Sequence, residues 1–418
     1  MNNILIFACG EPLAVDDKEV RLHRAGKLAK FLVSKKKINV DFISSTFDHV
    51  NKNNRYSHDK VIRIDKNFNL HLLKTIKYKK NISILRLISN FFLGIRLYIY
   101  LKKKKFNPDV IFVAYPPIET SLALLLFANK NKIPIVIDVR DLWPEIFLVR
   151  YNLLLKKILS VFLIPYHIMA KFIFTNSVSI VSISNNMLKW IQVYAKRERS
   201  KYDNFFPFSY QDGTISKVKK NKKISFLKKK LKKKFNVTYI GNISTTLELE
   251  NLCRTAKSLS KYNNIQFVVC GVGDAFNEFK KKTVDYSNIF LTGWVNKNEI
   301  SYILKNSKLG LIPYKNDTNL SLGIPNKFSE YISFSLPILT SLHGTVSNVI
   351  VKNKIGYLYK ANLKNDFKNK ILLCYKNPSL LNKFSKNARK LFLEEFEHKN
   401  SHEKIFNHLK KVYHAFKN

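Results

Sequence analysis

Two segments concentrate side chains that could do chemistry. The first is IVIDVRDLWPE, residues 135–145, where Arg140, Asp141, Trp143 and Glu145 follow a strand-like apolar run. Two carboxylates, a guanidinium and an indole are costly to bury together unless they meet a ligand or one another. A structural ion pair of Arg140 with Asp141 or Glu145 is the plain alternative. The second segment is GIPNKFSEYISFSLPILTS, residues 323–341. Pro325 suits a helix start because its φ is already set. A helix opening there points free N–H groups and a positive dipole end outward, toward an anion such as a diphosphate. Lys327 and Glu330 share one face of that helix. The cation suits phosphate charge and the carboxylate suits ribose hydroxyls. An exposed ion pair worth little is the alternative reading.

The elements that must position these groups alternate along the chain. Strands are expected at 3–9, 39–43, 61–64, 109–114, 133–138 and 179–183. Helices are expected near 20–33, 82–101, 118–129 and 152–174, the last bent at Pro165, which lacks a backbone donor. A Lys-rich stretch, 196–234, interrupts the pattern, and its later part is compatible with a short helix. Strands resume at 236–240, 265–270, 288–291, 308–313 and 337–340, with helices at 247–261, 296–305 and 326–334. Asn296 followed by Glu299 reads as a capping box. Residues 364–417 read as helical. Such alternation implies parallel sheets covered on both faces. The expected division is an N-terminal Rossmann-like domain at 1–205 and a basic linker at 206–234. A second Rossmann-like domain at 235–390 and a helical extension at 391–418 complete it. Open parallel sheets bind ligands beyond the carboxyl ends of their strands. In the second half Gly241, Gly271, Gly273 and Gly293 sit at those ends, in a chain with only 12 glycines. Taken singly, each reads as a turn glycine.

With 418 residues and a 46% hydrophobic content, the chain can build two globular domains. Its net charge of +44 attracts polyanions: phosphorylated substrates, anionic head groups or nucleic acid. Compositional drift toward Lys, Asn, Ile and Phe accounts for part of that excess. Cys9, Cys253, Cys270 and Cys374 lack metal-ligand spacing, so no metal is expected and free thiols fit a reducing cytoplasm. The start at Met1 enters a strand pattern at once and lacks signal-peptide features. No uninterrupted apolar run reaches the ~18 residues of a membrane span. Residues 82–101 and 153–174 mix apolar and basic residues, which suits either packing on a sheet or an interfacial position on a membrane.

The ordered motifs GEPLAVDDKEVRLHRAGKLAKFL, SSTFDH, VIDVRDLWPE, YIGNIS, CGVGD, LTGWV, LIPY and PNKFSEYISFSLPI give the chain a family likeness. It resembles glycosyltransferase family 4 over nearly its whole length, in particular the bacterial polysaccharide (O-antigen and capsule) members. That resemblance implies the α/β GT-B fold, with two doubly wound domains facing across a cleft. It further implies a retaining, metal- and cofactor-independent transfer from a nucleotide diphosphate sugar, usually UDP-linked, to a lipid-linked saccharide. By the same resemblance Glu330 binds ribose, and Pro325, Asn326 and Lys327 approach the diphosphate. Gly241 and Gly273 admit the donor, Trp294 and Val295 border the base, and Arg140, Asp141 and Glu145 line the reacting end. The chain departs from the pattern twice. Leu322 stands where the family often carries another Glu, and Arg140-Asp141 stand where a His is common. Arg21 and Arg24, one turn apart, are candidates for an acceptor pyrophosphate. The expected setting is cytoplasmic, peripheral on an anionic inner membrane face, without nucleic acid. The competing readings are a sugar-nucleotide epimerase of the same fold and a basic nucleic-acid-binding protein.

Overall fold

Runs of buried Ile, Val, Leu and Phe set two separate sheets. The computed structural model describes residues 1–16, 22–35, 37–49, 51–80, 83–148 and 153–417. Contacts divide the chain into one unit of Met1–Phe206 with His402–Asn418, and a second of Pro207–Ser401.

In the first unit eight strands form one sheet: β1 (Asn3–Phe7), β2 (Asn39–Ser45), β3 (Lys60–Asp65), β4 (Phe68–Leu73), β5 (Val110–Tyr115), β6 (Ile135–Val139), β7 (Ser179–Ser182) and β8 (Asn204–Phe205). Their order is β8-β7-β6-β5-β1-β2-β4-β3. All neighbours are parallel except the hairpin pair β3 and β4. β4 was not expected, because Asn69 and His71 break its apolar pattern. Tertiary partners remove that cost: His71 is buried, with Nε2 at 2.9 Å from Asp41 Oδ1 and Nδ1 at 2.9 Å from the Tyr100 hydroxyl. The order reverses between β1 and β5, so the ends of these strands open the crevice of this sheet.

Helix Ile84–Lys104 lies against helix Ile118–Lys130. Gly94 permits this approach, since a Cβ there would sit 3.0 Å from the Glu119 carbonyl oxygen. Contrary to the count of uninterrupted apolar residues, Ile84–Lys104 is long and apolar enough by composition to cross a membrane. About a third of its apolar window is buried in the unit (33%). The expected bent helix at 152–174 is two helices, Leu153–Phe162 and Ile164–Asn176, set at 60°. Pro165 lies in the first turn of the second, where no donor is needed, so it starts a helix instead of kinking one.

The second unit holds six parallel strands: β9 (Phe235–Ile240), β10 (Ile265–Cys270), β11 (Ile289–Gly293), β12 (Leu309–Ile312), β13 (Ile338–Thr340) and β14 (Gly356–Leu358). Their order is β11-β10-β9-β12-β13-β14, so the switch point lies between β9 and β12. The stretch expected as a linker, 206–234, belongs to this unit from Pro207 onward. Asp212 forms a two-pronged pair with Arg389 at 2.7 and 2.6 Å. Helix Lys222–Leu231 buries Ile224, Leu227 and Leu231 in the same cluster as Phe328 and Ile332. It is the short helix that the later part of this stretch allows, its three apolar residues spaced i, i+3, i+7 among lysines. Likewise, the expected C-terminal extension is divided. Helix His398–Lys417 places Ile405, Phe406, Leu409 and Val412 in the core of the first unit. The chain therefore passes between units twice.

The expected capping box is formed. Asn296 Oδ1 accepts from the Glu299 N–H at 3.0 Å, and Glu299 Oε2 accepts from the Asn296 N–H at 3.1 Å. Asn296→Ala should destabilise the second unit by about 1 kcal/mol, lowering its Tm by roughly 2–4 °C in calorimetry.

Candidate functional site

The carboxyl ends of β9, β10 and β11 are stitched together by glycine backbone. The Gly241 N–H donates to the Cys270 carbonyl at 3.0 Å, and the Gly271 N–H donates to the Gly293 carbonyl at 2.8 Å. Gly241 has φ 147° and Gly271 φ 131°. A Cβ on Gly271 would lie 1.9 Å from the Gly241 carbonyl oxygen, so this edge closes only with glycine. A Cβ on Gly273 would lie 2.2 Å from the Ile243 carbonyl oxygen. Trp294, next along the edge, is 66% exposed, and its carbonyl accepts from Lys223 Nζ at 3.0 Å. Val295 is buried in the unit's core, so only its backbone can border a ligand.

Helix Asn326–Ser333 starts against this edge. Pro325 is its cap, half-buried, with extended backbone and no side-chain hydrogen bond to the first turn. Asn326, the first helical residue, is exposed. The first turn's N–H groups are those an α-helix leaves unpaired from within. Lys327 and Glu330 are both buried, at 7% and 3% exposure. Lys327 Nζ lies 4.0 Å from the Tyr239 ring centre and 4.5 Å from that of Tyr314, and donates to the Tyr314 hydroxyl at 2.8 Å. A Cβ on Gly241 would lie 3.0 Å from the same Nζ, which places the ammonium directly at the glycine edge and at the switch point. Burial pulls the Lys327 ammonium down to about 7, and the nearby Glu330 carboxylate offsets part of that fall. Glu330 Oε1 accepts from the Tyr210 hydroxyl at 2.7 Å. Tyr210 is held by backbone bonds, its N–H to the Phe396 carbonyl and its carbonyl to the His398 N–H, at 3.0 and 2.9 Å. Tyr331, on the same helix, accepts the Ile240 N–H through its hydroxyl at 3.0 Å and ties the helix to β9. A cation of lowered pKa, a fixed carboxylate and a helix N-terminus thus meet at one strand edge. That arrangement can hold a diphosphate and adjoining hydroxyls.

In the first unit, Arg140 pairs with neither Asp141 nor Glu145. Its Nε donates to Asp138 Oδ2 at 2.7 Å and its Nη1 to Glu11. Burial alone would lower its pKa; the Glu11 and Asp138 carboxylates outweigh burial and raise it. Arg24 is buried, with Nη2 3.0 Å from Asp138 Oδ1 and Nη1 donating to the Phe206 carbonyl. Burial lowers its pKa despite Asp138. Arg24 thus belongs to a charge-balanced buried network of Glu11, Asp138 and Arg140, not to an open anion surface. Arg21 lies outside the described residues. Asp141 is partly exposed, and its carbonyl accepts from the Trp143 N–H at 3.0 Å. Trp143 is buried against Phe147, with the Arg86 guanidinium 4.8 Å from its ring centre. Glu145 begins a short 3-10 turn, and burial lifts its carboxyl to about 7. Its Oε1 lies 3.7 Å from His167 Nδ1, which shares a 2.7 Å hydrogen bond with Tyr194. Glu119, at the start of helix Ile118–Lys130, is also raised to about 7 by burial. Among the described residues no group of His, Cys, Asp and Glu is arranged to hold a metal ion.

Residues 220–391 match the family model of glycosyl transferases group 1. An uncharacterized glycosyltransferase of Methanocaldococcus jannaschii is 24% identical over 246 residues, which is 57% of this chain and 60% of that relative. The chain therefore spans 60% of the length of the curated relative it matches. Sucrose-phosphate synthase from Thermosynechococcus elongatus is similar in structure, with a TM-score of 0.73 at 11% identity over 99% of this chain and 100% of that one. The α,α-trehalose 6-phosphate synthase of Burkholderia multivorans gives 0.69 at 11% identity, over 99% of each chain. HepE of Anabaena, solved in complex with UDP, gives 0.65 at 11% identity over 98% of this chain and 100% of that one. The chain has the GT-B fold. Within the C-terminal GT-B unit, Gly241, Lys327 and Glu330 come together as expected, with Gly273 and Trp294 along the same edge. The GT-B core also uses residues that sequence reasoning passed over. Tyr239 and Tyr314 stand inside the YIGNIS and LIPY motifs and could have been found by their place at strand ends. Tyr210 and Glu119 carry no local signal, whereas Glu11 stands inside the GEPLAVDD motif just after β1.

Proposed function

We propose that this chain is a retaining glycosyltransferase of the hexosyl or N-acetylhexosaminyl type. It moves a sugar from a UDP-linked donor to a lipid-linked saccharide in cell-surface polysaccharide synthesis. The observation that carries this reading is the buried Lys327–Glu330 pair at the helix opening on the glycine edge. A buried lysine of lowered pKa is stabilised by a bound diphosphate, and the helix N-terminus adds its dipole. Glu330 accepts from ribose hydroxyls. The match of residues 220–391 to glycosyl transferases group 1 supports a nucleotide-sugar donor. UDP in the Anabaena relative supports the choice of nucleotide.

In this reading the bond from the anomeric carbon to the diphosphate breaks first, and Lys327 and the helix N-terminus hold the departing charge. The acceptor hydroxyl oxygen bonds to the anomeric carbon on the same face, and its proton passes to the departing diphosphate. In the first unit, Asp141 and Glu145 are this reading's candidates for meeting the acceptor. Calorimetry with UDP, then transfer assays from a panel of UDP-sugars to polyprenyl-diphosphate-linked saccharides, test this function. Micromolar UDP binding with transfer is the expected result. Sugar-nucleotide turnover without any acceptor would replace transfer by epimerisation.

Tyr210 is a positioning residue in this reading, because its hydroxyl fixes the Glu330 carboxylate. Tyr210→Phe should weaken UDP binding about fivefold, the worth of one hydrogen bond. It should also narrow the preference for UDP over its 2′-deoxyribose analogue, while the Tm falls by only a few degrees. Paired titrations of both nucleotides measure this.

A further inference from the structure

One face of the first unit carries apolar side chains that no described part of the fold covers. Helix Ile84–Lys104 turns Leu93, Leu97 and Leu101 into the unit and leaves Ile84, Ile88, Phe91, Ile95 and Ile99 outside, each at least 48% exposed. Spacings of four, three, four and four residues align these five in a second stripe. A helix packed on a sheet needs one apolar stripe; a second, exposed one marks an interaction surface. Helix Ile118–Lys130 continues the face through Leu126, 43% exposed, and contacts helix Ile164–Asn176, which contacts Leu153–Phe162. The last two expose Leu154, Val161, Phe162, Ile164 and Ile168, each more than half accessible at 51–73%.

Charge identifies the occupant. Neither 84–104 nor 153–176 contains an acidic residue. Exposed Lys102, Lys103, Lys104 and Lys105 end the first helix, and exposed Lys157 and Lys171 lie on the other two. A second copy would bring the same cations to the same place, in a chain whose net charge is +44. An anionic surface complements them.

We infer that this four-helix face seats on a bilayer containing anionic phospholipids, its apolar side chains between the head groups and its lysines on lipid phosphates. This seating goes beyond the transfer reaction and does not require the nucleotide site to be correct. The test uses the full chain and vesicles of phosphatidylcholine, with and without phosphatidylglycerol, in co-sedimentation at low and high salt. Wild-type protein should partition onto the anionic vesicles and keep part of that binding in high salt. Replacing Ile88, Phe91 and Phe162 together by Ser should weaken partition about 30-fold or more, at unchanged Tm and UDP affinity. Lys102→Gln, Lys103→Gln and Lys104→Gln together should weaken it about 10-fold or more at low salt, and match wild type at high salt. Wild-type protein left in the supernatant, or a Ser triple variant that partitions normally, overturns the inference. So does a dimer that the Ser variant dissociates while vesicle binding stays absent, which would make the face a contact between copies. UDP affinity of the same samples reports on the nucleotide site separately.

Discussion

Glu330→Ala should raise the Kd for UDP by about 10³-fold in calorimetry, while the Tm of the second unit moves by only a few degrees. A carboxylate accepting from two ribose hydroxyls makes two charge-assisted bonds, each worth about 1.5–3 kcal/mol. Three decades in Kd correspond to about 4 kcal/mol, within that range. Glu330 is buried and already bonded to Tyr210, so little side-chain entropy is lost on binding. Glu330→Gln separates charge from shape: it keeps one acceptor oxygen and should lose less. A Glu330→Ala protein that binds UDP as wild type does would remove the nucleotide assignment. An unfolded Glu330→Ala protein is recognised by its lost melting transition, and Glu330→Gln then carries the test.

The second large effect is a pH dependence set by Lys327. Burial holds its ammonium near a pKa of about 7 in the free protein. A bound diphosphate favours the charged form and raises that pKa. Between the free and bound values, binding requires uptake of a proton, so affinity falls as pH rises, by up to about tenfold per unit. UDP affinity should therefore drop by as much as about 100-fold from pH 7 to pH 9. This window lies above the titration of the terminal phosphate, whose second pKa is about 6. Lys327→Met should bind weakly at both pH values and show no slope. A wild-type protein with equal affinity at pH 7 and pH 9 would place the diphosphate away from Lys327. The same shift has an opposite consequence for folding of the nucleotide-free protein. Above pH 7 the unfolded chain, with Lys327 at its ordinary 10.5, binds the proton that the folded chain releases. This contribution makes stability rise with pH from about 7 to about 10.5.

Local patterns carried much of the architecture. β1 and β5 are near-continuous apolar runs, and β6, β9 and β10 are apolar apart from Asp138, from Asn236 and Thr238, and from Gln266, as burial on both faces demands. Asn296 and Glu299 announced a helix start that needs no distant partner, so it was legible from four residues. Gly241, Gly271 and Gly293 marked strand ends: all three take a positive φ, and at Gly271 the neighbouring backbone leaves no room for a side chain. Lys327 and Glu330 fell on one helix face by spacing alone. The failures have one cause. Residues 206–234 looked like linker because their apolar residues are few, and the cluster that Ile224, Leu227 and Leu231 join includes Phe328 and Ile332, a hundred residues on. β4 looked polar because the groups that satisfy His71 lie on β2 and on helix Ile84–Lys104.

Local pattern was enough for the alternating elements, the glycine edge and the charged pair on the helix that opens beside it. Those follow from steric and helical periodicity, which act within a few residues. Packing of distant segments set Lys327 between Tyr239 and Tyr314 with its pKa drawn down. The same packing joins Arg140 and Arg24 through Asp138 in a buried network and returns the last helix to the first unit's core. These outcomes depend on which distant groups exclude water from one another, and desolvation is a property of the packed chain that no local window contains.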